Sequence, residues 1–410
     1  MFASIVRCHL ANLHDPEQIH TVYLCREVAR RELFAISHKP MASLVREADH
    51  AGSWYSSNGK QLTAQLDSWL DAVSDDALPE GPLPLPGARV VISPHAGFSY
   101  SGPAAAWSYK SLDLSKAKRI FVLHPSHHWH LRTAALPEVE GVRTPLSPDP
   151  LPLDLVTIAK LSELSTTVGS QSIKFSKMSQ SIDEAEHSAE MQYPFIHRRL
   201  QSLYPDKAVS SYPPLVPIMI GATNKQTERA LGKLLAPYIA DETNAFVISS
   251  DFCHWGSRFS YTYYIADAPS PATSSLTLPG GVGGAEAALD VHKQHDWQQG
   301  RMIRGSIAPQ KPRIHESIAE VDRACMCAIA SGSYNAFIEV IEETGNTVCG
   351  RHPIGVFLAG VEELEKSAEL AGPTRGGSRG SFRFMRYERS SDVVSARDSS
   401  VSYVAAFAVL

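Results

Sequence analysis

The chain has 410 residues, of which 43% are hydrophobic and 20% are charged, and its formal net charge at pH 7 is −5. This balance excludes a strongly basic nucleic-acid-binding protein and gives no attraction to anionic membranes, and no apolar run approaches the roughly 20 residues that span a bilayer. The six cysteines do not form a disulfide framework over this length, so we expect a reducing compartment, the cytoplasm or also the nucleus.

The first 40 residues mix basic and acidic side chains and lack a clear apolar core. A transit peptide would be poorer in acidic residues, so this segment is not expected to be one. Met41 precedes the first well-organised segment and suggests an alternative start site. We therefore expect residues 1–45 to be a poorly ordered extension and residues 46–410 to form one domain.

From residue 58 onward, the hydrophobic pattern predicts helices alternating with strands. Leu62, Leu66 and Leu70 recur at helical spacing, and Asn58 or a preceding serine is a candidate cap. Further helices are predicted at residues 103–110, 153–164, 191–203, 225–238, 318–331, 334–343 and 355–364. Strands are predicted at residues 89–93, 120–123, 215–220, 245–249, 382–387 and 401–409, and Pro217 favours an edge position for the third of these.

This alternation predicts an α/β fold with a mixed, largely parallel central sheet that helices cover on both faces. Two stretches interrupt the pattern. Residues 267–313 are rich in Pro, Ala, Ser and Gly without a sustained period, which predicts a flexible insertion. Residues 369–380 form a second glycine-rich loop by the same criterion.

Imidazole side chains follow several of the predicted strands. In open α/β sheets, ligands bind at the carboxyl ends of the strands, so His95, His127 and His254 are expected to converge on one crevice. A further turn before the last predicted helix adds Cys349, whose thiolate a helix N-terminus would stabilise. Imidazole and thiolate groups bind transition metals, and imidazole also carries protons near neutral pH.

Each of these residues also has a purely structural interpretation. His95 alone could be a hydrogen-bonded core histidine, and Cys349 alone a small buried hydrophobe. The acidic residues at 183–190 could simply favour a helix N-terminus. Cys253 is expected to be structural, and Cys325 and Cys327 are expected to be ordinary helix residues.

Seven segments of the chain resemble the Memo family, which is named for a mediator of receptor-driven cell motility. The resemblance covers the chain from about residue 46 to its end, apart from the predicted insertion and the loop near residue 370. The segments are READHAGSWY at 46–55, SPHAGFSYSG at 93–102, HPSHH at 124–128, EHSAEMQYPF at 186–195, SSDFCHWG at 249–256, NTVCGRHPIG at 346–355 and DSSVSYVAAF at 398–407.

Memo proteins resemble class III extradiol dioxygenases, which hold nonhaem iron in an α/β fold. The resemblance implies a metal ion on His95, His127 and Cys349, with the thiolate in place of the carboxylate of the ring-cleaving enzymes. It also implies that His254 takes the place of their catalytic acid/base histidine, with Asp251 beside it. Candidate substrate or peptide contacts are Trp54, Tyr55, Tyr100, His128, His187 and Glu190.

One position departs from the family pattern, because His124 stands where a glycine is expected before Pro-Ser-His-His. This imidazole either caps the strand or adds a group near the metal, and capping is favoured. His128 is expected beside the metal ligands or in contact with substrate, and His130 is expected to be solvated.

Three functional hypotheses follow. The first is a cytosolic redox metalloprotein that holds iron or copper, with zinc less favoured, and reacts with O2; two imidazoles and a thiolate suit these metals and leave coordination positions open. The second is a non-catalytic peptide-binding adaptor in cell-motility signalling, with a vestigial site and a peptide or signalling protein as partner; the family is associated with phosphotyrosine peptides in animals. The third is a zinc hydrolase with His254 or Glu190 as general base, although the chain lacks a HExxH motif.

Overall fold

The computed structural model describes residues 44–78, 81–266, 268, 300–366 and 380–410. The predictions made for residues 1–43, for most of the 267–313 insertion and for residues 369–379 lie outside the described residues. The described end of that insertion includes a short strand, Arg301–Met302, which pairs with Tyr263–Tyr264. The described residues from 45 to 410 belong to one compact α/β unit. Among the described helices, none combines the length and the apolar character needed to cross a membrane.

The largest sheet of the described residues has ten strands. The described strands are β1 Val45–Arg46, β2 Val90–Ser93, β3 Arg119–Pro125, β4 Ala134–Pro137, β5 Gly141–Thr144, β6 Ser147–Pro152, β7 Ser165–Val168, β8 Gln171–Met178, β9 Leu215–Ile220, β10 Asn244–Ser249, β11 His254–Trp255, β12 Tyr263–Tyr264, β13 Arg301–Met302, β14 Phe382–Arg389 and β15 Ser400–Ala408. The strand order of the largest sheet is β11-β15-β2-β10-β3-β9-β4-β8-β7, with β14 paired to β15, while β1, β5 and β6 form a smaller sheet.

The four central strands β2, β10, β3 and β9 are parallel to one another. Every residue of β2, β9 and β10 is buried, as expected for strands with helices on both faces. Antiparallel β4 and β15 extend this core on its two sides, so the sheet is mixed and largely parallel, as predicted. The carboxyl ends of the parallel strands therefore meet at one edge of the sheet, where the loops after β2, β3 and β10 emerge.

Helices flank the sheet and follow the predicted order along the chain. The first is capped as predicted, because the Asn58 side chain accepts a hydrogen bond from the Gln61 N–H. The helices are α1 Gly59–Asp71, α2 Phe98–Ser111, α3 Leu155–Glu163, α4 Gln180–Ala185, α5 His187–Glu190, α6 Tyr193–Leu203, α7 Lys225–Ala240, α8 Ile314–Ala330, α9 Tyr334–Thr344 and α10 Arg351–Lys366, and short 3₁₀ turns lie at Val209–Ser211 and Ser257–Phe259.

Two of these helices, α7 and α10, pack at very short range through glycines. A Cβ atom added to Gly232 would lie 2.6 Å from the backbone nitrogen of Gly360. The backbones can approach this closely only because neither residue has a side chain. The contact holds the middle of α10 against α7. The Gly350 N–H donates to Ser250 Oγ at 3.0 Å, which holds the loop that carries Cys349 beside the end of β10.

The predicted edge position of Pro217 is wrong, because β9 lies between β3 and β4 in the sheet. The Leu215 carbonyl accepts a hydrogen bond from the Asp154 N–H, so it points away from β3. Because a strand repeats every two residues, the backbone groups of Pro217 also point away from β3. On that side β4 pairs only with Met219 and Ile220. The missing N–H of Pro217 therefore interrupts no strand pairing, and the proline lies at a locally unpaired stretch of an interior strand.

Candidate functional site

Three groups that sequence analysis singled out lie together at the carboxyl edge of the sheet. His95 follows β2, His127 follows β3, and Cys349 lies in the loop before α10. One ligand atom from each of the three lies within 4.8 Å of the other two. The Cys349 sulfur is 3.0 Å from Nε2 of His95, and the His95 and His127 rings are 5.2 Å apart in an edge-to-face arrangement. The structure thus brings the three predicted metal ligands into one cluster.

A buried chain of hydrogen bonds determines which His95 nitrogen faces this cluster. Gln192 Nε2 donates to Ser249 Oγ at 2.9 Å, and the Ser249 hydroxyl donates to the Ser188 carbonyl at 2.8 Å. The remaining contact, 2.8 Å between Ser249 Oγ and Nδ1 of His95, must therefore use the imidazole N–H. Nε2 keeps its lone pair and points toward Cys349. Burial, with His127 and His187 nearby, lowers the pKa of His95 well below its ordinary value, so the ring is neutral at pH 7.

The carboxylate of Glu186 likewise determines which nitrogen of His127 faces the cluster. Nδ1 of His127 lies 2.8 Å from Glu186 Oε1, and the His127 backbone N–H donates to Oε2 at 2.6 Å. Burial alone would raise the pKa of Glu186, but the hydrogen bonds from His127 lower it below its ordinary value. An ionised carboxylate only accepts hydrogen bonds, so Nδ1 carries the proton and Nε2 is free to bind a cation.

Cys349 is anchored by the backbone of the loop that follows β10. Its sulfur accepts a hydrogen bond from the Asp251 N–H at 3.1 Å. Burial, together with the Asp251 carboxylate, raises the pKa of the thiol well above its ordinary value. This burial opposes the stabilisation of the thiolate that is expected from the helix N-terminus, and it favours a protonated thiol when no metal is bound.

The two predicted catalytic residues, Asp251 and His254, lie next to this cluster. Asp251 is buried, and its Oδ1 accepts hydrogen bonds from the backbone N–H groups of His95 and Ala96. Nδ1 of His254 donates to the Phe252 carbonyl at 2.8 Å, so in the neutral form of the ring Nε2 is the nitrogen with the free lone pair. The geometry gives Asp251 the role of fixing the turn that carries His95 and gives His254 a free basic nitrogen.

Trp54, His187 and His128 form a layer of aromatic and imidazole groups beside His127. The Trp54 and His187 rings lie 4.4 Å apart, and His187 also stacks on His127 at 4.5 Å. Burial lowers the pKa of His187 to about 3. His128 is exposed, with its ring 6.1 Å from that of His187, and Tyr100 is 59% exposed.

Tyr55 and Glu190 lie deeper, in a buried polar network. The Tyr55 hydroxyl donates to Glu190 at 2.7 Å, and the same carboxylate binds Arg46 at 2.6 Å and the His50 side chain at 3.0 Å. Arg46 is fully buried and also binds Asp183 at 2.8 Å. These carboxylate contacts stabilise the α4–α5 segment, and a ligand contact by Tyr55 or Glu190 stays a prediction.

His124 lies apart from the metal cluster. It is completely buried, its Nδ1 is 3.0 Å from Ser188 Oγ, and burial lowers its pKa to about 4. Its Nε2 has no hydrogen-bond partner among the described residues. His124 is part of β3 and is not grouped with the three candidate ligands, and its role as a cap stays a prediction. His130 is exposed and accepts a hydrogen bond from Arg132.

Sequence reasoning missed three residues that orient the cluster. Glu186 was considered only as part of an acidic helix start, and it is indeed the N-cap of α5, yet its carboxylate also binds His127. Ser249 and Gln192, which orient His95, were not singled out. Only the proximity of Glu186 to His187 in one acidic, imidazole-bearing turn offered a signal in the sequence.

A cavity of about 410 Å³ adjoins the cluster. His127 and Cys349 line it, together with the ends of β3 and β9 and the start of α10. A small molecule in this cavity would therefore lie next to the candidate metal ligands.

Comparisons with known proteins find relatives that match most of the chain. The sequence profile described as Memo-like protein matches residues 46–407. Protein MEMO1 of Xenopus laevis is 38% identical over 363 residues, which cover 88% of this chain and 97% of the relative. Protein MEMO1 of Homo sapiens is 36% identical over 362 residues, covering 88% and 96%. A MEMO1 family protein of Schizosaccharomyces pombe is 38% identical over 368 residues, covering 90% and 100%.

Proposed function

Because the chain belongs to the Memo-like protein family, we propose that it is a metal-binding redox protein that holds iron or copper on His95, His127 and Cys349. The observation that carries this proposal is the cluster of two imidazole nitrogens and one sulfur within 4.8 Å of one another. In both histidines the other nitrogen is engaged by a buried partner, so Nε2 is the available donor. Second partners that fix the tautomer in this way are typical of metal-binding histidines.

The donor set fits the proposed metals. Two imidazoles and a thiolate favour iron, copper or zinc over magnesium and calcium, which prefer oxygen. Because the buried thiol holds its proton when no cation is present, metal binding would release that proton. Iron or copper would supply one-electron chemistry and an open position for O2, whereas zinc, the less favoured metal, would not be redox-active.

The surrounding residues then take distinct roles. Asp251 holds the turn of His95 through its backbone N–H groups and acts as a positioning residue. His254, with Nδ1 bound to a backbone carbonyl, would accept or donate a proton at Nε2. The four described cysteines are unpaired, which supports a reducing compartment such as the cytoplasm or the nucleus.

Metal analysis of the purified protein tests this proposal. The wild type should retain iron or copper in near-stoichiometric amount, and His127→Ala and Cys349→Ala should lose it. His130→Ala is the matched control, because this exposed histidine follows the same strand and lies outside the cluster. Equal and negligible metal in all four proteins would overturn the proposal, and anomalous scattering from crystals would identify the element.

A second candidate function is peptide binding by a signalling adaptor in cell motility. The favouring observation is the exposed Tyr100, which lies two residues after Phe98, whose backbone N–H donates to the Trp54 carbonyl. The Trp54 ring lies 4.4 Å from that of His187. Aromatic side chains of this kind are enriched where proteins bind partners. Affinity capture with the wild type, Trp54→Ala and His254→Ala tests it. A partner that depends on Trp54 and that binds metal-free protein would support the adaptor role, and capture unaffected by either substitution would count against it.

A further inference from the structure

One wall of the cavity beside the metal cluster is formed by basic side chains at the start of α10. Besides His127 and Cys349, Arg351 and His352 line it. Its remaining wall is largely apolar, with Ile220, Ile341 and Val348 among the lining residues. The cavity can therefore hold a molecule that has both a polar group and a small apolar body.

The charge of this cavity favours an anion. Among the described residues that line it, Arg351 is the one permanently charged side chain, and none is an aspartate or glutamate. The single positive charge matches a carboxylate, which carries one negative charge. A phosphate monoester carries about −1.5 to −2 at pH 7 and would leave charge uncompensated.

A chain of side chains that begins in the interior holds the exposed Arg351 in position. The Tyr334 hydroxyl donates to Glu228 Oε2, and Glu228 Oε1 lies 2.6 Å from Nδ1 of His352. Glu228 is only 3% exposed, so this carboxylate is a fixed part of the interior. With Nδ1 donating to the carboxylate, Nε2 of His352 accepts the Nε–H of Arg351 at 3.2 Å.

The bond to His352 uses the Nε–H of the guanidinium and leaves the edge with the two terminal nitrogens available. Neither terminal nitrogen of Arg351 has a partner among the described residues. A guanidinium presents its N–H groups as a planar fork that binds a carboxylate through two parallel hydrogen bonds. Because His352 fixes Nε, less side-chain freedom is lost when the fork binds its ligand.

We propose that this cavity binds a small monocarboxylate, with the carboxylate on the fork of Arg351 and an apolar body against Ile220, Ile341 and Val348. His352 and Glu228 act as positioning residues for Arg351. The ligand would lie beside Cys349, so that it would be presented to the metal site. The inference rests on the proposed function only in treating this ligand as a substrate; binding itself needs no metal.

Titration of the metal-free full-length chain tests the proposal. Benzoate and phenylacetate are the probes, isothermal calorimetry is the readout, and a chelator without carboxylate groups is present throughout. Both carboxylates should bind saturably, and neutral benzamide should not. Arg351→Ala should weaken binding by about 10-fold or more, the usual effect of losing hydrogen bonds to a charged group.

Three further proteins separate the roles of the residues. Arg351→Lys keeps the charge but loses the fork, and it should also weaken binding. His352→Ala should weaken binding less than Arg351→Ala and be accompanied by a less favourable binding entropy. Arg143→Ala removes an exposed arginine whose partners are Glu47 and Pro148, outside the cavity, and should bind as the wild type does.

The outcomes are distinguishable from those of the metal test. Absence of saturable binding by both carboxylates, wild-type affinity in a folded Arg351→Ala protein, or tighter binding of phenyl phosphate than of benzoate would each overturn the carboxylate site. Because the titration contains chelator, a negative result leaves the metal proposal standing. A protein that binds carboxylate but no metal would overturn only the metal proposal.

Discussion

Nδ1 of His127 lies 2.8 Å from Oε1 of Glu186, and the backbone N–H of the same histidine donates to the second oxygen of that carboxylate. One buried side chain therefore fixes the backbone of the turn after β3, the orientation of the ring and the position of its proton. Such partners raise the basicity of the ligating nitrogen and orient it before a metal arrives.

Glu186→Gln should lower metal affinity by about 10- to 100-fold, the range typical of losing such a partner. Glutamine can still accept at one oxygen, but its amide nitrogen cannot accept the second N–H from His127. Competition with a chelator of known affinity measures the effect. Glu163→Gln is the control, because that glutamate is exposed in α3. Unchanged affinity in folded Glu186→Gln would show that the carboxylate only caps α5.

Ser249→Ala should weaken metal binding through His95. The substitution removes the acceptor for His95 Nδ1 and leaves the Ser188 carbonyl and the Gln192 amide each without one partner. Unfolding by urea should show a loss of about 1–3 kcal/mol, as expected for buried polar groups left unsatisfied. Nitrogen NMR of the metal-free protein should show that the His95 proton is no longer confined to Nδ1.

The matched control is Ser108→Ala. Ser108 is also buried, and it donates to the Ile92 carbonyl at 2.7 Å, but it does not contact the cluster. It should lose stability without any change in metal affinity. Equal losses of affinity in the two serine variants would mean that Ser249 acts through general stability.

The convergence of His95 and His127 was predictable because parallel strands deliver their carboxyl ends to one edge. The complete ligand set with Cys349 was implied by the resemblance to the Memo family. His95 and His127 each follow a short apolar run, which is a local signal in the sequence. Glu186 and Gln192 reach the same place from helices α5 and α6, whose position over the sheet is decided by tertiary packing. No local pattern connects residue 192 with residue 249, so the orientation of His95 was visible only in the folded chain.

The parallel core of the fold was predictable from the sequence, whereas the strands β4 to β8 between residues 134 and 178 were not predicted. The wrong edge position of Pro217 has a local cause. Pro217 lacks a backbone donor, which normally excludes it from the interior of a sheet. The rule concerns the hydrogen bonds of a single residue. Strand β9 as a whole lies between two other strands, but at Pro217 it has no strand partner on the side of β4. Strand β6 was missed for a related reason, since its three prolines resemble a loop, and it lies at the edge of the small sheet.

Arg46→Met should destabilise the protein by about 3–5 kcal/mol, because it leaves two buried carboxylates without their cation. Arg46 is fully buried and binds Asp183 at 2.8 Å and Glu190 at 2.6 Å. Urea unfolding at pH 7 measures the loss. Arg143→Met breaks an exposed pair with Glu47 and should cost less than about 1 kcal/mol. Similar values for the two variants would contradict a structural role for the buried pair.

His124 should make the folded state sensitive to mild acid. Burial lowers its pKa from 6.5 to about 4, so between these values the unfolded chain binds a proton that the folded chain excludes. Its contribution to stability is present above pH 6.5 and is lost as the pH falls toward 4, at about 1.4 kcal/mol per pH unit.

His124→Asn keeps a short polar side chain near Ser188 but cannot titrate. Urea unfolding from about pH 7 to about pH 4.5 should therefore show a pH slope about one proton smaller than in the wild type. His130→Asn, at an exposed position, should keep the wild-type slope. Identical slopes in all three proteins would mean that His124 is protonated in the folded state, and that its unpartnered Nε2 gains a partner on protonation.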